Sequence, residues 1–250
     1  MKIFMTNDDG ILSPGITLLA AALRNKGHRV VLLAPDVNRS GISHAITFLN
    51  GPCKIEKTGE DSWSCAGTPA DCVIIALLGG IPGMKEFFPD LVLSGINRGA
   101  NLGTDIVYSG TAAAARQASL HGIPSIALSL LERDNAWHWE PAVNFFIEKL
   151  QFVCDFWKKD TFVNINFPNM PSQPAGFIPS FPAKRCYTDT IELYQSPQGD
   201  YYCFADGGKI GAKNEALSDY DTVSGNNASI SAVYIHPVSI DEIVQEKGKI

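Results

Sequence analysis

Two adjacent carboxylates near the start of the chain have the chemistry to hold a metal ion. Asp8 and Asp9 occur in residues 6–10 (TNDDG), directly after the apolar run at 3–5. Neighbouring carboxylates repel each other unless a cation or a shared proton relieves them, and oxygen ligands of this kind suit Mg²⁺ or Mn²⁺. The pair therefore predicts a metal site, although one aspartate could instead cap the next helix while the other is solvated.

Two further oxygen-bearing side chains follow later apolar runs. Ser40 comes after the run at 29–34, and Asn97 comes after the run at 90–94. Taken singly, each would be interpreted as a cap or turn residue. The carboxyl ends of parallel strands meet at one edge of a sheet, where such folds bind ligands. Asp8, Asp9, Ser40 and Asn97 together then suit one six-coordinate Mg²⁺ or Mn²⁺ per subunit, with waters completing the shell.

A third feature is the start of an alanine-rich helix, at Ser109, Gly110 and Thr111. Free backbone N–H groups and the helix dipole make such a position an anion site, although Ser109 or Thr111 could be an ordinary N-cap. Beside a divalent metal, an anion site implies phosphate. The hypothesis is that a metal-activated water attacks phosphorus while these three residues stabilise the phosphate oxygens, and that Asp9 also serves as the catalytic residue that orients or deprotonates the water.

Several other nucleotide-binding and phosphatase patterns are missing. The chain has no Gly-x-x-x-x-Gly-Lys-Ser/Thr loop and no Gly-x-Gly-x-x-Gly after its first strand, so a dinucleotide cofactor is disfavoured. An Asp-x-Asp nucleophile would need a carboxylate at Gly10. An aspartyl-phosphate phosphatase and a non-catalytic metal or nucleotide sensor nevertheless stay open as alternative functions.

Composition narrows the choice of partners. The 250 residues are 45% hydrophobic and carry a formal net charge of −6, which leaves no basic footprint for a nucleic-acid polymer or an anionic membrane. No apolar stretch reaches the roughly 18 residues that would span a bilayer. The six cysteines show no Cys-x-x-Cys spacing, and residues 1–5 look like a core strand instead of a secretory signal. We therefore expect reduced, mostly buried thiols and a cytoplasmic protein.

Alternating apolar runs and amphipathic stretches predict an α/β fold with a doubly wound, mostly parallel sheet over residues 1–168, the catalytic core. Predicted strands are 3–5, 29–34, 90–94, 125–129 and 162–166, and predicted helices are 16–26, 69–78, 111–121 and 139–158. Residues 45–67 predict a β insertion, a hairpin at the sheet edge.

The composition changes beyond residue 168. Residues 169–250 predict a Pro-rich linker, a β-hairpin over 186–204 and a C-terminal segment that completes the fold. A protruding hairpin exposes its edge strands unless another subunit covers them, so this segment is a candidate oligomerisation arm.

Five motifs of the chain resemble those of the SurE family of stationary-phase survival 5′/3′-nucleotidases and occur in the same order. They are residues 6–10 (TNDDG), 35–41 (PDVNRSG), 67–72 (GTPADC), 94–97 (SGIN) and 108–111 (YSGT), and residues 164–168 (NINFP) extend the match. The resemblance implies a Rossmann-like core and a divalent-metal-dependent phosphomonoesterase that acts on nucleoside monophosphates. It also implies metal ligands at Asp8, Asp9, Ser40 and Asn97, and dimers or tetramers that exchange C-terminal segments. The stretch 228–234 (ASISAVY) matches the family pattern only loosely.

Overall fold

A computed structural model describes residues 1–81, 87–133, 136–208, 210–213 and 215–237. The strands are β1 (Lys2–Thr6), β2 (Arg29–Pro35), β3 (Ile55–Gly59), β4 (Ser62–Cys65), β5 (Leu91–Arg98), β6 (Ser125–Leu130), β7 (Thr161–Phe167), β8 (Phe177–Pro179), β9 (Arg185–Cys186), β10 (Thr190–Gln195), β11 (Tyr201–Asp206), β12 (Gly211–Ala212) and β13 (Ala228–Tyr234). The α-helices are α1 (Pro14–Asn25), α2 (Pro69–Ile74), α3 (Gly110–Leu120), α4 (Trp139–Glu148), α5 (Leu150–Phe156) and α6 (Asp219–Ser224).

Nine of these strands form one sheet in the order β3-β4-β2-β1-β5-β6-β7-β13-β8. The central strands β2, β1, β5, β6 and β7 are all parallel, as is β4 beside β2, whereas β3, β13 and β8 run in the opposite direction. The strand order reverses direction at β1, because β2 lies on one side of it and β5 on the other. Ligand sites of open α/β sheets lie at such a reversal, beyond the carboxyl ends of the strands. The predicted fold class is confirmed.

Helices cover both faces of the sheet and bury two separate cores. One face packs against α1, α4 and α5, with Leu19, Phe146 and Val153 fully buried. The other packs against α2 and α3, where small side chains such as Ala114 and Ala118 let the helix approach the sheet closely. The strands between these layers are therefore almost entirely apolar, as expected for a parallel sheet that is covered on both faces.

The predicted single helix over 139–158 is wrong. The chain forms two helices, α4 and α5, separated at Lys149, whose ψ of 6° leaves the helical range. The N–H of Lys149 still bonds to the carbonyls of Phe145 and Phe146, at 3.1 and 3.2 Å, so the break is a tight turn. Leu150 remains buried in the core after this turn. Apolar periodicity alone did not indicate the interruption because both segments contribute to the same apolar face.

The predicted β insertion forms a hairpin, β3 and β4, at one edge of the sheet, where β4 pairs in parallel with β2. At the other end, β13 inserts between β7 and β8. The hairpin of β10 and β11 forms a separate two-stranded sheet whose twelve strand residues are all exposed. The division into two regions at residue 168 stays a prediction, and the final part of the second region, residues 238–250, lies outside the described residues.

Two other expectations concern thiols and membranes. All six cysteines are free, but Cys186 and Cys203 are exposed, so the expectation of mostly buried thiols holds only for part of the set. Among the helices of the described ranges, none is long and apolar enough to cross a membrane. The cytoplasmic location stays a prediction.

Candidate functional site

Asp8 follows the central strand β1 and points at the start of helix α3. The hydroxyl of Thr111 donates to Asp8 Oδ1 at 2.6 Å, and the backbone N–H of Thr111 donates to Oδ2 at 3.1 Å. The side chain is only 3% exposed, so the carboxylate occupies a dry position at a positive helix end. Gly110 makes this approach possible, because a Cβ built there would lie 3.0 Å from the Cβ of Asp8.

The anion that the helix start holds in this structure is therefore the side chain of Asp8. Burial raises the pKa of Asp8, while the hydrogen bonds from Thr111 and the N–H of Gly110 favour its ionised form. Gly110 and Thr111, predicted to bind phosphate, both direct their donors at this carboxylate. Ser109 accepts from the N–H of Ala112 at 3.0 Å, and within the described chain its own hydroxyl proton has no acceptor. Phosphate binding by Ser109, Gly110 and Thr111 stays a prediction. Of the three, Ser109 has a hydroxyl proton that is still available to a phosphate oxygen.

Asp9 is half-buried beside Asp8 and is the more accessible of the two carboxylates. Its Oδ2 accepts the backbone N–H of Arg98, at the end of β5, at 2.8 Å. Burial raises the pKa of Asp9 to about 6, the Arg98 hydrogen bond opposes this rise, and the charge of Asp8 adds to it. The neighbouring charge thus acts in the direction that a bound cation would relieve.

Asn97 reaches the same edge through an irregularity in β5. The pairing between β5 and β6 shifts between Ser94 and Asn97, which is a β-bulge. Only glycine fits at position 95, because its φ is +119° and a Cβ would lie 2.2 Å from the carbonyl oxygen of Leu128. The Asn97 amide nitrogen donates to the carbonyl of Gly99 at 2.8 Å, which leaves the side-chain oxygen available as a ligand.

Ser40 lies in an exposed loop after β2 that is attached on both sides to the rest of the site. The N–H of Arg39 donates to the carbonyl of Asp8 at 2.7 Å, and the N–H of Ser43 donates to the carbonyl of Tyr108 at 2.9 Å. The N–H of Ser40 itself bonds to the side-chain oxygen of Asn38 at 2.8 Å. These bonds place Ser40 between the Asp8 segment and the start of α3, with its hydroxyl on an exposed segment.

The donor set at this edge fits a hard divalent cation. It combines two buried or half-buried carboxylates with one amide oxygen and one hydroxyl, all oxygen atoms. Burial raises the pKa of Asp8 and of Asp9, and the charge of Asp8 adds to the rise at Asp9. Across the described ranges, no group of three or more His, Cys, Asp and Glu side chains could hold a metal ion. A cation at this site would therefore depend on Ser40, Asn97 and water for the rest of its shell.

Sequence reasoning did not single out Asn101, which anchors the loop between β5 and α3. The backbone N–H of Asn101 donates to Asn166 Oδ1 at 2.7 Å, and its side-chain amide donates to Ser129 Oγ at 2.8 Å. Its backbone carbonyl accepts from the side-chain amides of Asn164 at 2.9 Å and Asn166 at 3.1 Å. Three asparagines and one serine are thus buried together at the carboxyl ends of β6 and β7. The sequence did contain a signal for this cluster: asparagines occupy alternate positions, 164 and 166, of a strand that was predicted to be buried. Polar side chains in such a strand require buried hydrogen-bond partners.

Comparison with known proteins identifies the family of this chain. The family model for survival protein SurE matches residues 3–187. The chain belongs to the SurE family. One curated relative is 5′-nucleotidase SurE of Geotalea daltonii, which is 37% identical over 97% of this chain and 96% of the relative. Another is 5′-nucleotidase SurE of Caldanaerobacter subterraneus, which is 37% identical over 93% of this chain and 91% of the relative. The crystal structure of SurE from Aquifex aeolicus matches this SurE-family chain with a TM-score of 0.82 and 34% identity, over 98% of each chain. The resemblance stated from the motifs is confirmed, whereas the roles of individual site residues stay predictions.

Proposed function

We propose that this chain is a divalent-metal-dependent phosphomonoesterase that hydrolyses nucleoside 5′-monophosphates, with 3′-monophosphates as further candidate substrates. The observation that carries the proposal is the pair of neighbouring carboxylates, Asp8 and Asp9, at the sheet edge where the strand order reverses. Full-length relatives at about 37% identity bear the name 5′-nucleotidase, which supports the same reaction class. The products would be the nucleoside and inorganic phosphate.

Asp8, Asp9, Ser40 and Asn97 would hold one Mg²⁺ or Mn²⁺. Such a cation supplies Lewis-acid polarisation of a phosphate oxygen and makes water more acidic. Hydrogen bonds from Thr111 fix the orientation of the Asp8 carboxylate, and together with the N–H of Gly110 they oppose the rise of its pKa that burial causes, which is the usual role of groups that contact metal ligands. Asp8 is consequently the rigid ligand of the set.

Asp9 is suited to a second task because it is the more accessible of the two carboxylates. A carboxylate within reach of the attacking water can orient that water and accept its proton. Asp9 would thus orient the attacking water and take its proton, while the free hydroxyl of Ser109 donates to a phosphate oxygen.

The decisive test measures phosphate release from a panel of nucleoside monophosphates with Mg²⁺, with Mn²⁺ and with a chelator. We expect activity that the chelator abolishes and that Asp9→Asn lowers by at least 100-fold. Asp155→Asn is the matched control, because Asp155 is an exposed carboxylate on α5, away from the sheet edge. Activity of Asp9→Asn within a few-fold of wild type would contradict the assigned role of Asp9.

Two rival functions give different results in the same experiment. A phosphatase with an aspartyl nucleophile would accumulate a covalent phosphoenzyme during turnover, whereas direct attack by water leaves none. A metal or nucleotide sensor would bind the nucleotide tightly and release no phosphate.

The exposed hairpin supports an oligomeric enzyme. One of its faces carries no charged side chain. Apart from the polar Gln195, the large side chains of this face are Ile191, Leu193 and Tyr201, which are 65 to 67% exposed. An apolar two-stranded sheet of this kind is marginally stable by itself in water, and exposed apolar patches mark interaction sites. We therefore assign the hairpin to contact with a second copy of this chain, in a homodimer or homotetramer.

A further inference from the structure

A cavity of about 270 Å³ opens beside Asp9, on the side of the sheet edge that faces α1 and α4. Asp9 and Arg98 form one wall, and two tryptophans that precede or begin α4 form another. The remaining lining includes the N-cap residue of α1 and the loop that follows β2. The residues that line the cavity include Asp9, Ser13, Asn38, Arg98, Trp137 and Trp139.

The aromatic wall is a flat stack. The rings of Trp137 and Trp139 lie 5.4 Å apart at an interplanar angle of 16°, and the Arg98 guanidinium lies 5.0 Å from the centre of the Trp137 ring. Trp139 is 8% exposed and fixes the stack to the core, while Trp137 is only half-buried. Planar heteroaromatic rings stack on tryptophan faces and on guanidinium planes, so the wall suits a nucleobase better than it suits a sugar or an aliphatic group.

Two polar side chains in the lining have donors to spare. Asn38 uses its oxygen to accept the N–H of Ser40, so its amide N–H groups are free for a ligand. Ser13 accepts from the Asn7 amide at 2.8 Å, which leaves the hydroxyl proton available. The ring nitrogens and carbonyl oxygens at the edge of a base accept hydrogen bonds of this kind.

The position of Asp9 connects this cavity to the candidate metal site. Asp9 belongs to both, and its Oδ2 is held by the backbone of Arg98, a cavity residue. The volume is slightly below the roughly 300–1,000 Å³ of complete small-ligand sites, so it suits one part of a larger ligand. A monophosphate bound near Asp8 and Asp9 would place its organic group in this space.

We propose that the cavity is the subsite for the base of the nucleotide substrate, with Trp137 and Arg98 as the groups that contact it. This inference rests on the proposed phosphomonoesterase function, because it deepens the choice of substrate at that site. It assigns selectivity for nucleotides over sugar phosphates to Trp137.

The test compares kcat/KM for adenosine 5′-monophosphate with kcat/KM for ribose 5-phosphate, which has the same phosphoester but no base. In Trp137→Leu we expect the ratio of the two values to fall about 5- to 100-fold, the range of one base–aromatic stack. Trp137→Phe keeps a ring and should recover most of the ratio. Phe88→Leu is the control, because Phe88 is an exposed aromatic residue before β5, at the opposite edge of the sheet.

An equal loss for both substrates, or no change in the ratio, would overturn the assignment of Trp137. A second measurement is independent of catalysis: calorimetric titration with adenosine should show saturable binding to wild type that Trp137→Leu weakens by a similar factor. Failure of the proposed function has a different signature, since wild type would then hydrolyse neither phosphoester. Absence of adenosine binding to an active wild-type enzyme would overturn the subsite alone.

Discussion

Replacing Thr111 by valine removes the hydroxyl group that contacts Asp8, a proposed metal ligand, and nearly preserves the shape of the side chain. That hydroxyl donates to Asp8 Oδ1 at 2.6 Å in a site where Asp8 is 3% exposed. An O–H···O⁻ bond of this length is charge-assisted, and hydrogen bonds to charged groups contribute about 1.5–3 kcal/mol. Without it the pKa of Asp8, already raised by burial, rises further, so protons compete better with the cation.

At about 1.4 kcal/mol per factor of ten, this loss corresponds to a roughly 10- to 100-fold weaker affinity for Mn²⁺. Substitution of groups that support metal ligands elsewhere has effects of about the same size. The assay is calorimetric titration of the metal-free protein with Mn²⁺, repeated at increasing pH. Because the competing species is a proton, the deficit of Thr111→Val should shrink as the pH rises.

Thr111→Ser is the matched control, because it keeps the hydroxyl and should stay within about threefold of wild type in Mn²⁺ affinity. Circular dichroism of each variant establishes that α3 and the sheet are intact. Folded Thr111→Val that binds Mn²⁺ within twofold of wild type would contradict this expectation. The Asp8–Thr111 contact would then have no part in metal binding.

Three more outcomes follow from the structure. Mn²⁺ at 100 times its Kd should stabilise the fold by about 2.7 kcal/mol, which corresponds to a rise in Tm of roughly 5–10 °C in a scanning calorimeter. An equal rise in Tm for Asp9→Asn would contradict metal ligation by Asp9. Ile191→Lys combined with Leu193→Lys places two charges on the exposed hairpin face, so light scattering should show a smaller assembly, while the circular dichroism spectrum stays unchanged. An unaltered mass would place the interface elsewhere. Gly15→Ala puts a Cβ 1.9 Å from the carbonyl oxygen of Ile96, so urea unfolding should show a free energy of unfolding that is lower by about 3 kcal/mol. A stability equal to wild type would mean that α1 can move away from β5 without cost.

Local patterns in the sequence were sufficient to predict the fold class, and they also predicted which polar residues follow the carboxyl ends of the strands. Apolar runs that alternate with amphipathic stretches require a covered parallel sheet, because neither kind of segment can bury its apolar surface alone. The glycine-flanked polar residues after three of those runs then had to lie at one edge. The single helix predicted over 139–158 failed because helical periodicity continues across the turn at Lys149, where one residue changes ψ without disturbing the apolar face.

The assignment of partners at the site needed coordinates. The donors at 110 and 111 were predicted to face a phosphate, but in the structure they hold Asp8, a residue more than one hundred positions earlier. The β5 bulge that presents Asn97 depends on the absence of a side chain at Gly95, beside the carbonyl of Leu128. Such contacts join segments that are distant in sequence, so no spacing rule along the chain could predict them.

The sequence by itself determined which chemical groups are available: two adjacent carboxylates, a hydroxyl, an amide and a helix start, each placed after a strand by the pattern of apolar residues. The tertiary structure alone decided how deeply each group is buried and which group it faces. Burial and hydrogen-bond partners make Asp8 a buried carboxylate held in one orientation, and burial raises the pKa of the more accessible Asp9 to about 6. The physical reason is that burial and hydrogen bonding depend on distances between segments, which are set when the two helical layers pack onto the sheet.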